Sequence, residues 1–196
     1  MTTWIVFFIL MAYLAGSISS AVLVCKLFGK PDPRTQGSKN PGTTNVLRVA
    51  GKIPAALVLF FDVLKGAIPT YGAFLAGIPD WSLGLVAISA CLGHMYPLFF
   101  GFKGGKAVAT ALGAMLPMGW PLAVVLLSTW VIVARLTRYS SLAAIITVIV
   151  APIATYLYKP QFTLSVLMLT ILILAKHRGN LLRLLKGQES RFTPKS

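Results

Sequence analysis

The chain has 196 residues, 57% of them hydrophobic and 11% charged, with a mean hydropathy of +0.81. A soluble domain carries about 25% charged residues, so this composition excludes one and predicts an all-α polytopic bundle in a lipid bilayer, a single domain over residues 1–196. The formal net charge is +14 with only four acids, Asp32, Asp62, Asp80 and Glu189, which leaves too few carboxylates for a protein cage around a hard metal. Basic residues alternating with long apolar runs suit anionic lipid and anionic substrates better than nucleic acid.

In chain order, the sequence opens MTTWIVFFILMAYLAGS with no charge before Lys26. It lacks the basic start and cleavage site of a signal peptide, so this segment is expected to remain as a helix. Apolar windows near 4–25, 53–77, 82–100, 107–117, 119–135, 141–158 and 161–176 predict seven crossings, each weighed against the ~20 residues needed to span a bilayer. The fourth window is short for an independent crossing, and Pro117, Gly119 and Pro121 break the run that follows it. Lys and Arg gather in cytoplasmic loops. With seven spans, sixteen of the eighteen lie on one side, Lys195 in the tail among them, whereas Lys65 is inside a span and Lys159 lies opposite. The amino terminus is therefore expected outside and the carboxyl terminus in the cytoplasm. Cys25 and Cys91 lie in apolar stretches without ligand spacing and are read as small buried residues.

Three inner segments carry polar chemistry. The first, Gly37 to Arg48 (GSKNPGTTNVLR), is dense in Gly, Ser, Thr and Asn. Glycine lets backbone amides approach phosphate oxygens, and Arg adds a charged two-pronged contact. Ser38, Asn40, Thr43, Asn45 and Arg48 are the candidate contacts, although an ordinary loop rich in turn formers would look similar. The second, Gly93 to Thr110 (GHMYPLFFGFKGGKAVAT), places His94 at a span end and Lys103, Gly104, Gly105 and Lys106 before an apolar helix. Two ammonium groups, two glycines and a helix start can cradle a phosphate. The spacing is not that of a nucleotide-binding P-loop. The third, His177 to Glu189 (HRGNLLRLLKGQE), sets His177 and Asn180 three residues apart on one helix face, with Arg183 about a turn later. Glu189 is expected to pair with a nearby base. Within the second span, Asp62 and Lys65 stand at i and i+3, where burial favours a structural ion pair.

Together, these three segments resemble the signature motifs of the bacterial membrane acyl-phosphate:glycerol-3-phosphate acyltransferases, the PlsY family, across essentially the whole chain. The family's first motif is similar to GSGNxGATNxxR, so Lys39 and Thr43 replace a glycine and an alanine while Ser38, Asn45 and Arg48 match; the Asp62-x-x-Lys65-Gly66 run also resembles the family. The resemblance implies a multi-pass protein of the cell inner membrane with a cytoplasmic active site and no cofactor. Its implied reaction transfers a fatty acyl group from acyl phosphate to the 1-hydroxyl of sn-glycerol 3-phosphate, giving lysophosphatidate and inorganic phosphate, the first step of bacterial phospholipid synthesis. It leaves room for coupling to the enzyme that makes acyl phosphate, and the oligomeric state stays open. The HxxxxD box of other glycerolipid acyltransferases is missing, because no acid stands five residues beyond the histidine in His94-Met-Tyr-Pro-Leu-Phe.

No Ser/His/acid triad can be composed, so direct transfer without an acyl-enzyme is expected, the donor phosphate taking the proton. Ser38, Arg48, Lys106, His177 and Asn180 are the catalytic candidates, and His177 is the alternative general base. A transporter of phosphate-bearing solutes is the rival from another class. The chain lacks paired inverted halves, and its polar motifs crowd one side instead of the midplane.

Overall fold

A computed structural model describes residues 1–191, and every regular element among them is helical. The order is α1 (Thr2–Gly16), α2 (Ser20–Leu27), α3 (Thr43–Ala50), α4 (Lys52–Leu75), α5 (Asp80–Met95), α6 (Val108–Ala114), α7 (Trp120–Thr137), α8 (Ser140–Tyr158), α9 (Thr163–Lys176) and α10 (Arg178–Leu185). Lys195 lies outside the described residues.

Each apolar window falls on a helix, but not all reach the length of a bilayer. Five stretches are long and apolar enough to cross, namely Thr2–Leu27, Lys52–Leu75, Asp80–Phe100, Trp120–Thr137 and Ser140–Tyr158. Pro160–Lys176 makes a sixth if it is taken together with α10, which bends from it by 59°. The fourth window forms only Val108–Met118, a rise of roughly 16 Å, or about half the hydrocarbon thickness. Pro117 stops α6, and Gly119, at φ +133°, then turns the chain into α7.

Small residues bring the helices close. A Cβ on Gly113 would sit 2.0 Å from the Val63 carbonyl oxygen, and one on Gly66 would sit 2.1 Å from that of Thr110, so α4 and α6 interlock through reciprocal glycines. Gly16 against Ala90 and Gly93 against Tyr13 do the same for α1 and α5. Between apolar helices in lipid, such close packing replaces the hydrophobic drive available in water. The outward faces present large apolar side chains such as Leu10, Phe60, Ile68, Trp120, Leu157 and Ile171, as a lipid-facing surface requires.

Contacts between loops draw the polar segments to one end of the bundle. Arg34 Nη1 donates to the Phe100 carbonyl at 3.0 Å, and Arg48 Nη2 donates to the Ser190 and Arg191 carbonyls at 3.3 and 3.2 Å. Arg191 Nε reaches the Tyr139 hydroxyl at the α7–α8 turn. The sequence segments around Gly37, Lys106, Ser140 and Asn180 therefore meet.

Gly113→Val forces α6 away from α4 and should cost about 1–3 kcal/mol by overpacking. The check is thermal unfolding in detergent, with a lower midpoint expected than for the exposed substitution Ile68→Val.

Candidate active site

Asn45 winds the first polar loop around itself. It is 1% exposed; its Nδ2 donates to the Pro33 and Gln36 carbonyls at 2.8 and 3.0 Å, and its Oδ1 accepts the Ser38 N–H at 2.9 Å. Both amide hydrogens are thus spent on loop shape, which sets Ser38, Asn40 and Thr43 along the wall of a cavity. Lys39 adopts φ +57°, the left-handed region that favours glycine. Asp32 pairs with Arg34 at 2.7 Å, which occupies both charges.

Lys106 and the third segment form a continuous polar chain. Lys106 Nζ donates to Asn180 Oδ1 at 2.5 Å, Asn180 Nδ2 donates to Glu189 Oε1 at 2.6 Å, and Arg183 Nε donates to Glu189 Oε2 at 2.8 Å. Glu189 does pair with a base, as expected, and its side chain is only 7% exposed. Burial opposes its ionisation, but hydrogen bonds from Asn180 and Arg183 outweigh burial and hold its carboxyl below the ordinary range. Burial, assisted by the Arg183 and Arg48 cations, lowers the Lys106 ammonium to about 8. His177 is 3% exposed, and its Nδ1 lies 2.8 Å from the Ile173 carbonyl. The ring nitrogen facing a carbonyl must carry the proton, so Nε2 keeps its lone pair. Burial and the nearby Lys106 charge lower this histidine to about 4.

The second segment divides. Lys106 lines the cavity, whereas Lys103 lies in a separate depression with Asp32, Arg34 and Phe99. Gly104 and Gly105 are needed against His94: a Cβ would fall 2.0 Å from its carbonyl oxygen at Gly104 and 2.2 Å from its Nε2 at Gly105, and the Gly105 N–H donates to that carbonyl at 3.1 Å. His94 is 7% exposed, with Nδ1 3.2 Å from Thr110 Oγ1 and 3.6 Å from Asp62 Oδ1. Asp62 pairs with Lys65 at 2.8 Å, and Lys65 Nζ also donates to the Ile18 carbonyl at 3.0 Å. The expected ion pair thus extends through His94 to the backbone that delivers Lys106.

One cavity of about 690 Å³ takes in Ser38, Asn45, Arg48, His94, Lys106, His177, Asn180 and Glu189. Away from these it continues as an apolar arm lined by Leu126, Leu127, Trp130, Val148, Val166 and Leu169. Lys176 also lines it, with Nζ 3.8 Å from the centre of the Tyr96 ring. Neither a site role for Lys176 nor the particular residues of the apolar arm can be read from the sequence, because a juxtamembrane Lys and apolar helix residues have no motif. A space with cations at one end and apolar walls at the other fits an amphiphile bearing phosphate.

Because the His94 ring occupies the space beside Gly105, Gly105→Ala should lower kcat/KM by about tenfold or more, a displaced Lys106 being a misaligned group. In a His94→Ala background the added methyl should cost much less. Equal losses in both backgrounds would show that the ring does not set the loop.

A family model described as glycerol-3-phosphate acyltransferase matches residues 6–187. A glycerol-3-phosphate acyltransferase of Shewanella oneidensis is 61% identical over 187 residues, 95% of this chain and 92% of that protein. One of Idiomarina loihiensis is 57% identical over 192 residues, covering 98% of each. Two crystal structures of PlsY (YgiH), an integral membrane glycerol 3-phosphate acyltransferase, are similar in three dimensions. The glycerol 3-phosphate form has a TM-score of 0.91 and 41% identity over 96% of both chains. The lysophosphatidic acid form has a TM-score of 0.88 and 38% identity, covering 97% of this chain and 96% of that one. Sequence, helix arrangement and an amphiphile-shaped cavity agree: this chain belongs to the glycerol-3-phosphate acyltransferase family of integral membrane proteins.

Proposed function

We propose that this chain transfers a fatty acyl group from acyl phosphate to the 1-hydroxyl of sn-glycerol 3-phosphate, releasing inorganic phosphate and 1-acylglycerol 3-phosphate, the first step of bacterial phospholipid synthesis. The observation that carries this reading is the single cavity joining cations from three segments to an apolar arm. Two phosphate-bearing substrates need such cations, and the fatty chain needs such an arm. The relatives' activity and the glycerol 3-phosphate and lysophosphatidic acid forms of the similar structures support the acceptor and the product.

In this reading the chain is one domain over residues 1–196 that crosses the inner membrane seven times, the half-length α6 supplying the fourth crossing. The amino terminus is outside and the site faces the cytoplasm, where the Lys and Arg excess belongs. Functional coupling to the enzyme that produces acyl phosphate follows from the donor.

The glycerol hydroxyl attacks the acyl carbonyl, the bond from that carbon to the phosphate oxygen breaks, and a donor phosphate oxygen takes the hydroxyl proton. Lys106, held by Asn180, meets the donor phosphate and the charge that develops on it. Arg48, Ser38, Asn40 and Thr43 orient glycerol 3-phosphate, with Asn45 fixing their loop. Gly104, Gly105 and His94 serve phosphate binding by placing Lys106, whereas Lys103, in the neighbouring depression, stands outside that set. Asp62, Lys65 and Glu189 are structural. His177 Nε2 is free to accept a proton and remains the alternative base. A conjugate acid near 4 makes it a weaker base than a phosphate, whose second ionisation lies near pH ~6.

Purified protein given acyl phosphate should release inorganic phosphate only when glycerol 3-phosphate is present; release independent of the acceptor contradicts the reading. His177→Gln should retain turnover with the acid limb of its pH profile unmoved. Loss of turnover with retained glycerol-phosphate binding would instead make His177 the base. Since phosphate binding needs the Lys106 proton, kcat/KM should fall as pH rises through about 8. Lys106→Met should cost about 10²–10³ in kcat.

A further inference from the structure

Given the acyl transfer proposed above, on which this rests, we infer that the apolar arm measures the acyl chain and that Met115, Leu126, Ala151 and Val166 form its floor. All four line the cavity and also belong to the buried cluster beneath it, where Met118, Leu122 and Phe162 close the bottom without reaching the cavity. The arm therefore ends inside packed protein.

Its depth can be counted on two helices independently. Along α8, cavity residues run from Ser140 at the polar end through Ala144 and Val148 to Ala151. Along α9 they run the opposite way, from Val166 through Leu169 and Ile173 to His177 at its C-cap. On α7 the cavity residues run only from Leu126 to Val131. The α8 and α9 paths each span eleven steps, a rise of roughly 16 Å. A C–C bond of about 1.5 Å advances an extended chain by about 1.3 Å, so with its carbonyl at the level of Ser140 and His177 the arm holds roughly twelve to fourteen carbons. The spacing of three to four residues between wall positions keeps each stripe on one helix face.

Alanine makes the α8 wall adjustable. Ala144 and Ala151 are nearly fully buried, yet both line the arm, one midway along it and one at the floor. Bulk at Ala151 raises the floor, and bulk at Ala144 narrows the arm closer to the phosphate end. A longer chain must bend sideways past Leu127 and Trp130, where the wall faces lipid.

The experiment measures kcat/KM for acyl phosphates of ten to eighteen carbons with glycerol 3-phosphate as acceptor. The native protein should peak at about twelve to fourteen carbons. Ala151→Phe should raise the ratio of the twelve- to the sixteen-carbon donor about tenfold, the scale on which a filled pocket discriminates chain length, and Ala144→Phe should move the peak to shorter chains still. Val166→Ala should move the profile the other way, towards eighteen carbons, and decides the matter if a Phe variant does not fold. Profiles that scale uniformly at every length in these variants overturn the measuring floor while leaving the acyl transfer intact. If the native protein transfers no acyl group at any length, the underlying reading fails, and this inference with it.

Discussion

An ammonium group taken out of water must be met by something, and Lys106 is met by Asn180 at 2.5 Å. This contact ties the loop between α5 and α6 to the helix after α9, 74 residues away. Asn180 in turn depends on Glu189, and Glu189 on Arg183. Anchored in this way, the tail residues Ser190 and Arg191 reach Arg48 of the first polar segment. Three distant stretches of chain become one site because a cation and its partners leave water together. A phosphate entering the cavity meets cations whose desolvation has already been met by folding.

The rest of the bundle serves the depth at which this happens. Close helix crossings at Gly66 and Gly113 hold the half-length α6 against α4, and its early end leaves the long helices α7, α8 and α9 to wall the apolar arm. On the α4 side, the buried Asp62–Lys65 pair reaches His94, and the loop residues Gly104 and Gly105 pack directly on that residue. The lysine is therefore placed from below by a buried histidine and from the side by an asparagine. Neither group needs to touch a substrate for its loss to be felt.

The polar segments were legible in the sequence because Gly, Asn, Arg and His stand out against an apolar chain. The i, i+3 spacing of His177 and Asn180 translated directly into a shared face, and the Asp62–Lys65 pair formed as burial demands. The physical roles within the segments were harder to read. Gly104 and Gly105 suggested a phosphate cradle, and composition alone does not show that a histidine ring fills the space beside them. Asn45 looks like a ligand contact and spends its amide on the loop. Lys103 and Lys106 are indistinguishable in sequence, and only the fold sends one to the cavity and the other to a neighbouring depression. The particular residues of the apolar arm were invisible because an alanine lining a cavity and an alanine facing lipid obey the same pattern. The fourth window, visibly short, became a helix of half the membrane's depth whose residues line the cavity as far as Met115.

Acyl transfer at this site requires the three polar segments to share one face of the membrane and one pocket. Single cysteines at Ser38, Lys103 and Arg183, with buried Cys25 and Cys91 as silent background, can be labelled by an impermeant thiol reagent in inside-out and right-side-out vesicles. All three should react only in inside-out vesicles, and glycerol 3-phosphate should slow the reaction at positions 38 and 183 while sparing 103. Labelling of any of them from the opposite face would contradict the shared pocket.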